Sequence, residues 1–470
     1  MNKFTLLFLL FPFSLCSQVG KIYKNLDEAL SNPKQVYILH LQGDDSRLGK
    51  FPKTILQFKN LEELDLSFNN ITEMPKEIGE LKQLKKLRFC CNKITKLPTE
   101  IQQITKLEEL NLGQNQLSSF PKEILSLKNL KLLALYHNQI NDIPATIDQL
   151  TELSELTLSE NNIKSIPRCI GNFQNLEVLS LFNNQLKSIP EDIGKLSNLR
   201  KLALQNNQLS NFPESICQLE KLERFYFKGN NITQLPNCLS SLKNLEEIRY
   251  DTATQKELKR ILPQFYIYKN ITEALQTPSK VYILDLGFQE LETISDSIVY
   301  FSNLRKLDLS FNNVKELPKN FHKLQNLKFL NLDGSFFEEL PKDICKLKKL
   351  ETLICFSGSL KKLPKNLVQL KNLKTLIIAS NNLDDFPSNL YKMKNLTRID
   401  FFENNIKELP STVGKFKKLE WLGLDRNKLT TIPSNLKLIK GKTLYVELNL
   451  LTEEEKERIK NQFPGYNLNF

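Results

Sequence analysis

The sequence predicts an α/β repeat fold, a solenoid whose short parallel strands line a concave sheet, organised as two capped arrays in tandem. Three observations carry this prediction. A chain of 470 residues is too long for one ordinary core. A 23-residue period runs through most of it, and one phrase occurs twice, each time immediately before an array of repeats. The elements of a repeat follow from the residue types at each position.

The period is clearest when the chain is written in rows of 23 residues from Leu61. Eight rows begin at residues 61, 84, 107, 130, 153, 176, 199 and 222, and seven more at 281, 304, 327, 350, 373, 396 and 419. The shared pattern is LxxLxLxxNxLxxLPxxLxxLxx. Its LxLxx segment alternates apolar and polar residues, which predicts a short strand with one buried face. No single row can close a core, so each must stack on its neighbours.

Two polar positions complete the repeat. Position nine is asparagine in the first eight rows: Asn69, Asn92, Asn115, Asn138, Asn161, Asn184, Asn207 and Asn230. A buried amide at a turn can satisfy backbone groups that would otherwise lack partners. Position fifteen holds 14 of the 20 prolines. Proline there predicts the first position of a short helical turn, where the missing N–H costs nothing.

In this pattern the chain resembles the leucine-rich repeat family, in its 23-residue bacterial-type form. The resemblance covers about 430 of the 470 residues and implies a horseshoe solenoid with the parallel sheet on the concave side. It also implies that positions three, five, seven and eight of each repeat face outwards on that side and carry the partner-binding residues.

The repeated phrase predicts a duplication of a complete unit. "IYKNLDEALSNPKQVYILHL" begins at Ile22, and a copy identical at 13 of 20 positions begins at Ile267. In each copy Asn25 or Asn270 is placed to cap a short helix. Charged amphipathic helices are predicted within 254–266 and 452–466, after each array, because exposed array ends need caps. We therefore expect units at 18–265 and 266–470.

The first 17 residues predict a secretory signal peptide, since Lys3 precedes a short apolar run from Phe4 to Leu15. A buried terminal strand or helix is the alternative, and Leu15 weakens a lipoprotein reading of Cys16. The prediction places the mature protein in the cell envelope or outside the cell. Eight scattered cysteines do not form a disulfide framework. We expect unpaired thiols, although Cys217 and Cys238 can lie on neighbouring turns.

The outward positions of the second array are unusually apolar over five consecutive rows, which predicts an interaction site there. The residues are Phe329, Ile354, Phe356, Ile377, Phe402 and Trp421. The first array offers a thinner set, Tyr136, Phe182 and Tyr226, with Leu132 and Val178 beside them. Packing of these side chains against neighbours is the alternative interpretation. Phe68 and Phe311 recur in "LSFNN" and are interpreted as structural. Ser335 and Gly358 interrupt the asparagine positions beside Phe329 and Phe356.

Signals of catalysis are weak. The chain contains no P-loop, no GxGxxG and no GxSxG motif, and its three histidines fall in separate rows. We expect no enzyme activity, cofactor or bound metal. The predicted function is recognition of a macromolecular partner, a protein, by the concave face of an exported protein. With a net charge of +12, a cationic adhesin for anionic envelope glycans or lipids is the alternative, or a cytosolic signalling scaffold if residues 1–17 are retained. No nucleic-acid partner is expected.

Overall fold

The computed structural model describes residues 20–43, 48–438, 443–463 and 466–470. The predicted signal peptide, with Cys16, lies outside these residues. The chain divides into two compact units between Leu262 and Pro263, whereas the sequence predicted the division between residues 265 and 266. Across the described ranges, no helix combines the length and the apolar character needed to cross a membrane.

The first unit is built on a parallel sheet that, within its described residues, has eleven strands in chain order. Neighbouring strands in the array pair in a register of one repeat, so that Leu64 is the partner of Leu87. The strands are β1 (Ile22–Tyr23), β2 (Ile38–His40), β3 (Glu63–Asp65), β4 (Lys86–Arg88), β5 (Glu109–Asn111), β6 (Leu132–Ala134), β7 (Glu155–Thr157), β8 (Val178–Ser180), β9 (Lys201–Ala203), β10 (Arg224–Tyr226) and β11 (Glu247–Arg249).

The second unit repeats this architecture with ten parallel strands in its described part, again in chain order. The register is the same, with Leu307 paired to Leu330. The strands are β12 (Ile267–Tyr268), β13 (Ile283–Asp285), β14 (Lys306–Asp308), β15 (Phe329–Asn331), β16 (Thr352–Ile354), β17 (Thr375–Ile377), β18 (Arg398–Asp400), β19 (Trp421–Gly423), β20 (Thr443–Tyr445) and β21 (Asn467–Asn469). Both sheets confirm the predicted solenoid class.

The core of each repeat is formed by leucine and isoleucine from the strand and from a short 3₁₀ turn. In the repeat that begins at Leu61, three side chains are fully buried. Leu64 and Leu66 come from the strand segment, and Ile78 comes from the turn Lys76–Glu80. Pro75 lies one residue before this turn, with φ −70° and ψ 149°. The sequence predicted proline at the first position of the turn, but the structure places it one residue earlier. Its extended ψ is that of a residue that precedes a helical turn.

The asparagine at position nine ties its own repeat to the preceding one. Asn92 Nδ2 donates to the carbonyl oxygens of Leu66 at 2.9 Å and Phe89 at 3.1 Å. Its Oδ1 accepts from the backbone N–H of Ile71 at 3.0 Å. Asn92 is buried, so these bonds satisfy backbone groups that water cannot reach. The predicted role of this position is confirmed.

The caps use the duplicated phrase as predicted and add two strands that the sequence did not indicate. Asn25 Oδ1 accepts from the N–H of Asp27 and Glu28 at the start of α1 (Leu26–Leu30). Asn270 caps α3 (Ile271–Leu275) in the same way. The predicted end helices are α2 (Gln255–Ile261) and α4 (Glu453–Gln462). The "IY" of each phrase forms β1 and β12, which pair with the first strand of the array.

One expectation about the cysteines is wrong. Cys217 and Cys238 form a disulfide between the turns Glu214–Gln218 and Asn237–Ser241, with their Cα atoms 5.7 Å apart. The two residues occupy positions nineteen and seventeen of adjacent repeats, so stacking brings together residues that the 23-residue spacing does not align. A Cα separation of this size is typical of disulfides.

Candidate functional site

An apolar patch lies on the outward face of the second sheet. Ile354 and Ile377 are register partners on β16 and β17, and both side chains are half-buried. Phe356 follows β16 and Phe402 follows β18, both at position seven, and both are also half-buried. The patch is held in place by the strands and by backbone hydrogen bonds, including Gly334 N–H to Phe356 O at 2.7 Å. We call these four residues the apolar patch.

Three carboxylates flank the apolar patch in neighbouring repeats. Asp333 accepts a hydrogen bond from the N–H of Phe356 at 2.7 Å, and Asp400 accepts from the N–H of Phe402 at 3.2 Å. Asp425 accepts from the N–H of Glu447 at 2.7 Å. Partial burial raises the pKa of each of these three carboxyl groups above its ordinary value, because desolvation disfavours the charged form. The charges beside the patch are therefore poorly hydrated.

The remaining predicted residues of the second array pack against their own neighbours. The guanidinium of Arg398 lies 4.1 Å from the centre of the Trp421 ring. A side chain added at Gly423 would clash with that ring, with atoms 2.3 Å apart, so the indole lies across the glycine. The ammonium of Lys306 lies over the Phe329 ring, 4.8 Å from its centre. These cation–π contacts cover one face of each ring.

The first array does not bring its predicted residues into a comparable patch. The Tyr136 ring lies over Gly113, since a Cβ there would come within 2.2 Å of it. Tyr226 is only 7% exposed, with its hydroxyl donating to Glu247 at 2.6 Å and the Arg249 guanidinium over its ring. Phe182 is half-buried.

Two stacked, exposed phenylalanine rings were not predicted as site residues. Phe288 is 74% exposed and Phe311 is 46% exposed. Their rings stack with centres 4.6 Å apart at position eight of consecutive repeats. Phe68, at the same position in the first unit, is 52% exposed. Phe68 and Phe311, which the sequence analysis interpreted as structural, are therefore exposed rather than buried. The signal was present, because position eight belongs to the outward face, but recurrence of "LSFNN" obscured it.

Titratable groups that could do chemistry are dispersed. The three histidines bind carboxylates in separate repeats: His40 with Glu63, His137 with Glu160 and His322 with Asp343. Among the described residues, only Glu214, Cys217 and Cys238 come close enough to share a metal ion. The two sulfur atoms of that set are joined in the disulfide, so no thiolate is present to act as a ligand.

A parallel sheet of one-repeat register, buried leucines and a ladder of buried asparagines together define a solenoid repeat protein. Family models agree with this class: one described as "Leucine-rich repeat region" matches residues 110–188, 179–265 and 286–402, and one described as "Leucine rich repeat" matches 59–117. These matches cover more than half of the chain. The chain belongs to the leucine-rich repeat family.

Several solved structures are similar to this chain. A leucine-rich repeat protein of Leptospira interrogans is 31% identical, with 96% of this chain and 100% of that chain covered and a TM-score of 0.48. The ectodomain of the Arabidopsis thaliana receptor kinase GASSHO1/SCHENGEN3, in complex with CASPARIAN STRIP INTEGRITY FACTOR 2, is 26% identical. There 88% of this chain and 50% of that chain are covered, with a TM-score of 0.46. No curated protein sequence matches the chain.

Proposed function

We propose that this protein is an exported, non-catalytic binding protein that recognises a protein partner with the outward face of its second sheet. The single observation that carries the proposal is the apolar patch itself. Ile354, Ile377, Phe356 and Phe402 stand half-exposed on adjacent repeats of a rigid sheet. Apolar side chains left in contact with water on a preformed surface gain free energy when a partner covers them.

Charges around the apolar patch indicate the chemistry of the partner. The outward positions of the second sheet hold seven acidic and three basic residues, an excess of acid on a chain whose net charge is +12. The acidic set is Asp285, Asp308, Asp333, Asp400, Glu403, Asp425 and Glu447, and the basic set is Lys306, Arg398 and Arg426. A partner segment with apolar side chains and at least one Lys or Arg would complement both the patch and this rim.

The raised pKa values of Asp333, Asp400 and Asp425 support the same chemistry. A carboxylate that has lost part of its hydration gains more from a cation than one fully in water, provided that the cation meets it directly. A basic residue of the partner would therefore bind beside Ile354 and Ile377.

Export is supported by two independent features. The apolar run from Phe4 to Leu15 has the form of a signal peptide. The disulfide between Cys217 and Cys238 belongs to oxidising compartments, since cytosolic thiols are kept reduced. Mass spectrometry of the mature N-terminus from fractionated cells of the native host tests this part. A start at Ser17 or Gln18 in the envelope or medium is expected, and an intact Met1 in the cytosol would refute it.

The binding surface is tested with the full chain immobilised against extracellular and envelope proteins. Captured proteins are quantified by mass spectrometry for the wild type, for Ile377→Asp and for the milder Ile377→Thr. We expect a specific partner whose recovery falls at least about tenfold with Ile377→Asp, because a new carboxylate would be buried in the interface. The matched control is Thr157→Asp, at position five of the first unit. Equal losses in both variants would refute the assignment.

Ionic strength separates this function from the cationic adhesin. Attraction through scattered surface lysines weakens steeply with salt, because exposed charges are screened over about 10 Å at 0.1 M. Capture through the apolar patch should survive 0.5 M salt. If all capture disappears at that salt concentration while Ile377→Asp has no effect at low salt, the adhesin is the correct function.

A further inference from the structure

A second concave site lies in the second unit, at the turns that end two consecutive repeats. A groove of about 840 Å³ opens there. Its floor is formed by Met393, Leu396 and Phe416, which belong to the buried core. Tyr391, which is half-buried, forms one side. Tyr391 and Met393 lie at the end of one repeat. Leu396 begins the next repeat, and Phe416 lies near its end. All four are away from the outward positions of the sheet.

The groove arises from residues that differ from the usual repeat. Position twenty-one is leucine in many repeats, and there the turn is tight: the N–H of Leu347 donates to Ile344 O at 3.0 Å, with ψ 78° at Leu347. Phe416 at this position has ψ 132°, and its N–H is 3.5 Å from Val413 O. Position nineteen carries Tyr391 in one repeat and Gly414 in the next. The turn at Phe416, beside Tyr391, is therefore more open, whereas Gly414 packs closely against the next turn, since a Cβ there would come within 2.4 Å of Asn435 O.

Five lysines surround this apolar floor. They are Lys371, Lys392, Lys394, Lys415 and Lys417, and all five are exposed. Among the described residues, none of these five ammonium groups pairs with a carboxylate. At other turns, by contrast, Lys59 pairs with Glu80 and Lys346 with Asp343. The ammonium of Lys415 lies 5.1 Å from the centre of the Tyr391 ring. The groove thus combines apolar surface with uncompensated positive charge.

The corresponding place in the first unit shows that the charge is not a consequence of the turn alone. Phe173 also has an open turn, with ψ 104° and its N–H 3.4 Å from Ile170 O, and Gly171 precedes it. The positions equivalent to Lys415 and Lys417 are Asn172 and Gln174. Asn172 donates to Asp148 at 2.8 Å. The open turn recurs, but the ring of lysines belongs to the second unit.

We propose that this groove binds an anionic amphiphile, a single lipid molecule with a phosphate or carboxylate headgroup and an acyl chain. The lysines would hold the headgroup, since an ammonium is a compact donor to phosphate and carboxylate. The acyl chain would lie along Tyr391, over the floor of the groove, and displace water from apolar surface. The volume is within the range of small-molecule sites in proteins. This activity goes beyond the proposed recognition of a protein and uses a different surface.

Isothermal titration calorimetry with dihexanoyl phosphatidic acid, kept below its micelle concentration, tests the proposal on the full chain. We expect saturable binding at one site. The variant Lys392→Ala/Lys415→Ala should bind at least about tenfold more weakly, because two ammonium groups that face one anionic headgroup are lost. The matched control Lys348→Ala/Lys349→Ala, which removes two exposed lysines at the end of another repeat, should change the affinity less than about twofold.

Two further ligands separate the contributions of headgroup and chain. Dihexanoyl phosphatidylcholine, which has no net charge, and glycerol phosphate, which has no chain, should each bind much more weakly than the phosphatidic acid. The proposal is overturned if the monomeric lipid does not bind, if either analogue binds equally well, or if the control variant loses as much affinity. Binding only to vesicles of anionic lipid, with none of the monomer, would also overturn it and indicate attraction to a membrane surface instead.

Discussion

Ile354 and Ile377 are register partners on neighbouring strands, and both side chains are half-buried on the outward face of the second sheet. At Trp421, three repeats along from Ile354, Arg398 and Tyr445 lie against the aromatic ring. The same outward face thus combines half-buried isoleucines with aromatic rings that lie against charged neighbours, Phe402 among them, since the Arg426 guanidinium is 5.6 Å from its ring centre. This distinction carries the account of binding.

The asparagine ladder should be a major source of stability. Asn207 Oδ1 accepts from Leu186 N at 2.9 Å, and its Nδ2 donates to Leu181 O and Leu204 O, each at 3.0 Å. Asn207→Ala should lower the free energy of unfolding by about 2–4 kcal/mol, because buried backbone groups lose their partners. Urea denaturation followed by circular dichroism measures this. Asn211→Ala, which changes an exposed asparagine, should cost at most about 0.5 kcal/mol, and equal costs would contradict the ladder's role.

Truncation of Phe311 and of Phe321 should change the free energy of unfolding by very different amounts. Phe311 is exposed and has φ 52°, so Phe311→Ser should change the free energy of unfolding by less than about 1 kcal/mol. Phe321 is fully buried, and Phe321→Ala should cost about 3–5 kcal/mol. A large loss with Phe311→Ser would restore the structural interpretation of this residue.

The disulfide should stabilise the end of the first array. Replacing Cys217 and Cys238 by serine should lower the free energy of unfolding by about 2–4 kcal/mol without reductant. With reductant the wild type should fall to the level of the variant. Peptide mapping of the unreduced protein should recover the two cysteines as one linked pair. Recovery as two free thiols would show that the bond does not form.

The cap of the second unit should make that unit sensitive to acid. The hydrogen bond from Arg458, with others from Thr431 and Ile432, lowers the pKa of Glu455 to about 2 from an ordinary value of 4.5. A carboxyl group whose pKa is lowered by folding stabilises the fold above its unfolded value, and this contribution is lost as pH falls through the folded value. Stability from Glu455 should therefore be complete above about pH 5 and decline from there towards pH 2.

Glu455→Gln isolates this contribution. The variant should be less stable than the wild type at pH 7, and the difference should shrink as the pH is lowered to 3. Thermal unfolding at pH 7, 5 and 3 provides the measurement. Glu454→Gln, which changes an exposed glutamate of the same helix, serves as the control. A constant difference between wild type and Glu455→Gln at all three pH values would contradict the assigned cause.

The fold could be predicted from the sequence because its determinants are periodic and local. The leucine of Leu64 and the asparagine of Asn92 recur at the same positions of other repeats. Packing of the one and hydrogen bonding of the other require only the neighbouring repeat. The details of the site depended on contacts across repeats that spacing does not reveal. Trp421 lies across Gly423 beneath Arg398, which the pattern of outward positions could not show.

The disulfide and the cap strands were missed for related reasons. Cys217 and Cys238 meet because positions nineteen and seventeen of adjacent turns come within 5.7 Å between Cα atoms, an alignment that depends on the path of the turn. The "IY" strand at Ile22–Tyr23 has two residues, too few for an alternating pattern to be read. Its formation depends on the unpaired edge of β2.

Site-specific photo-crosslinking in intact cells of the native host tests whether the apolar patch contacts a protein partner. A photoreactive amino acid is placed at residue 377 in the apolar patch, and in separate chains at Thr157 and Lys365, which lie outside it. One protein partner should be crosslinked from position 377, and none, or only traces, from the two controls. The same partner crosslinked equally from all three positions, or from Lys365 alone, would contradict recognition by the outward face of the second sheet.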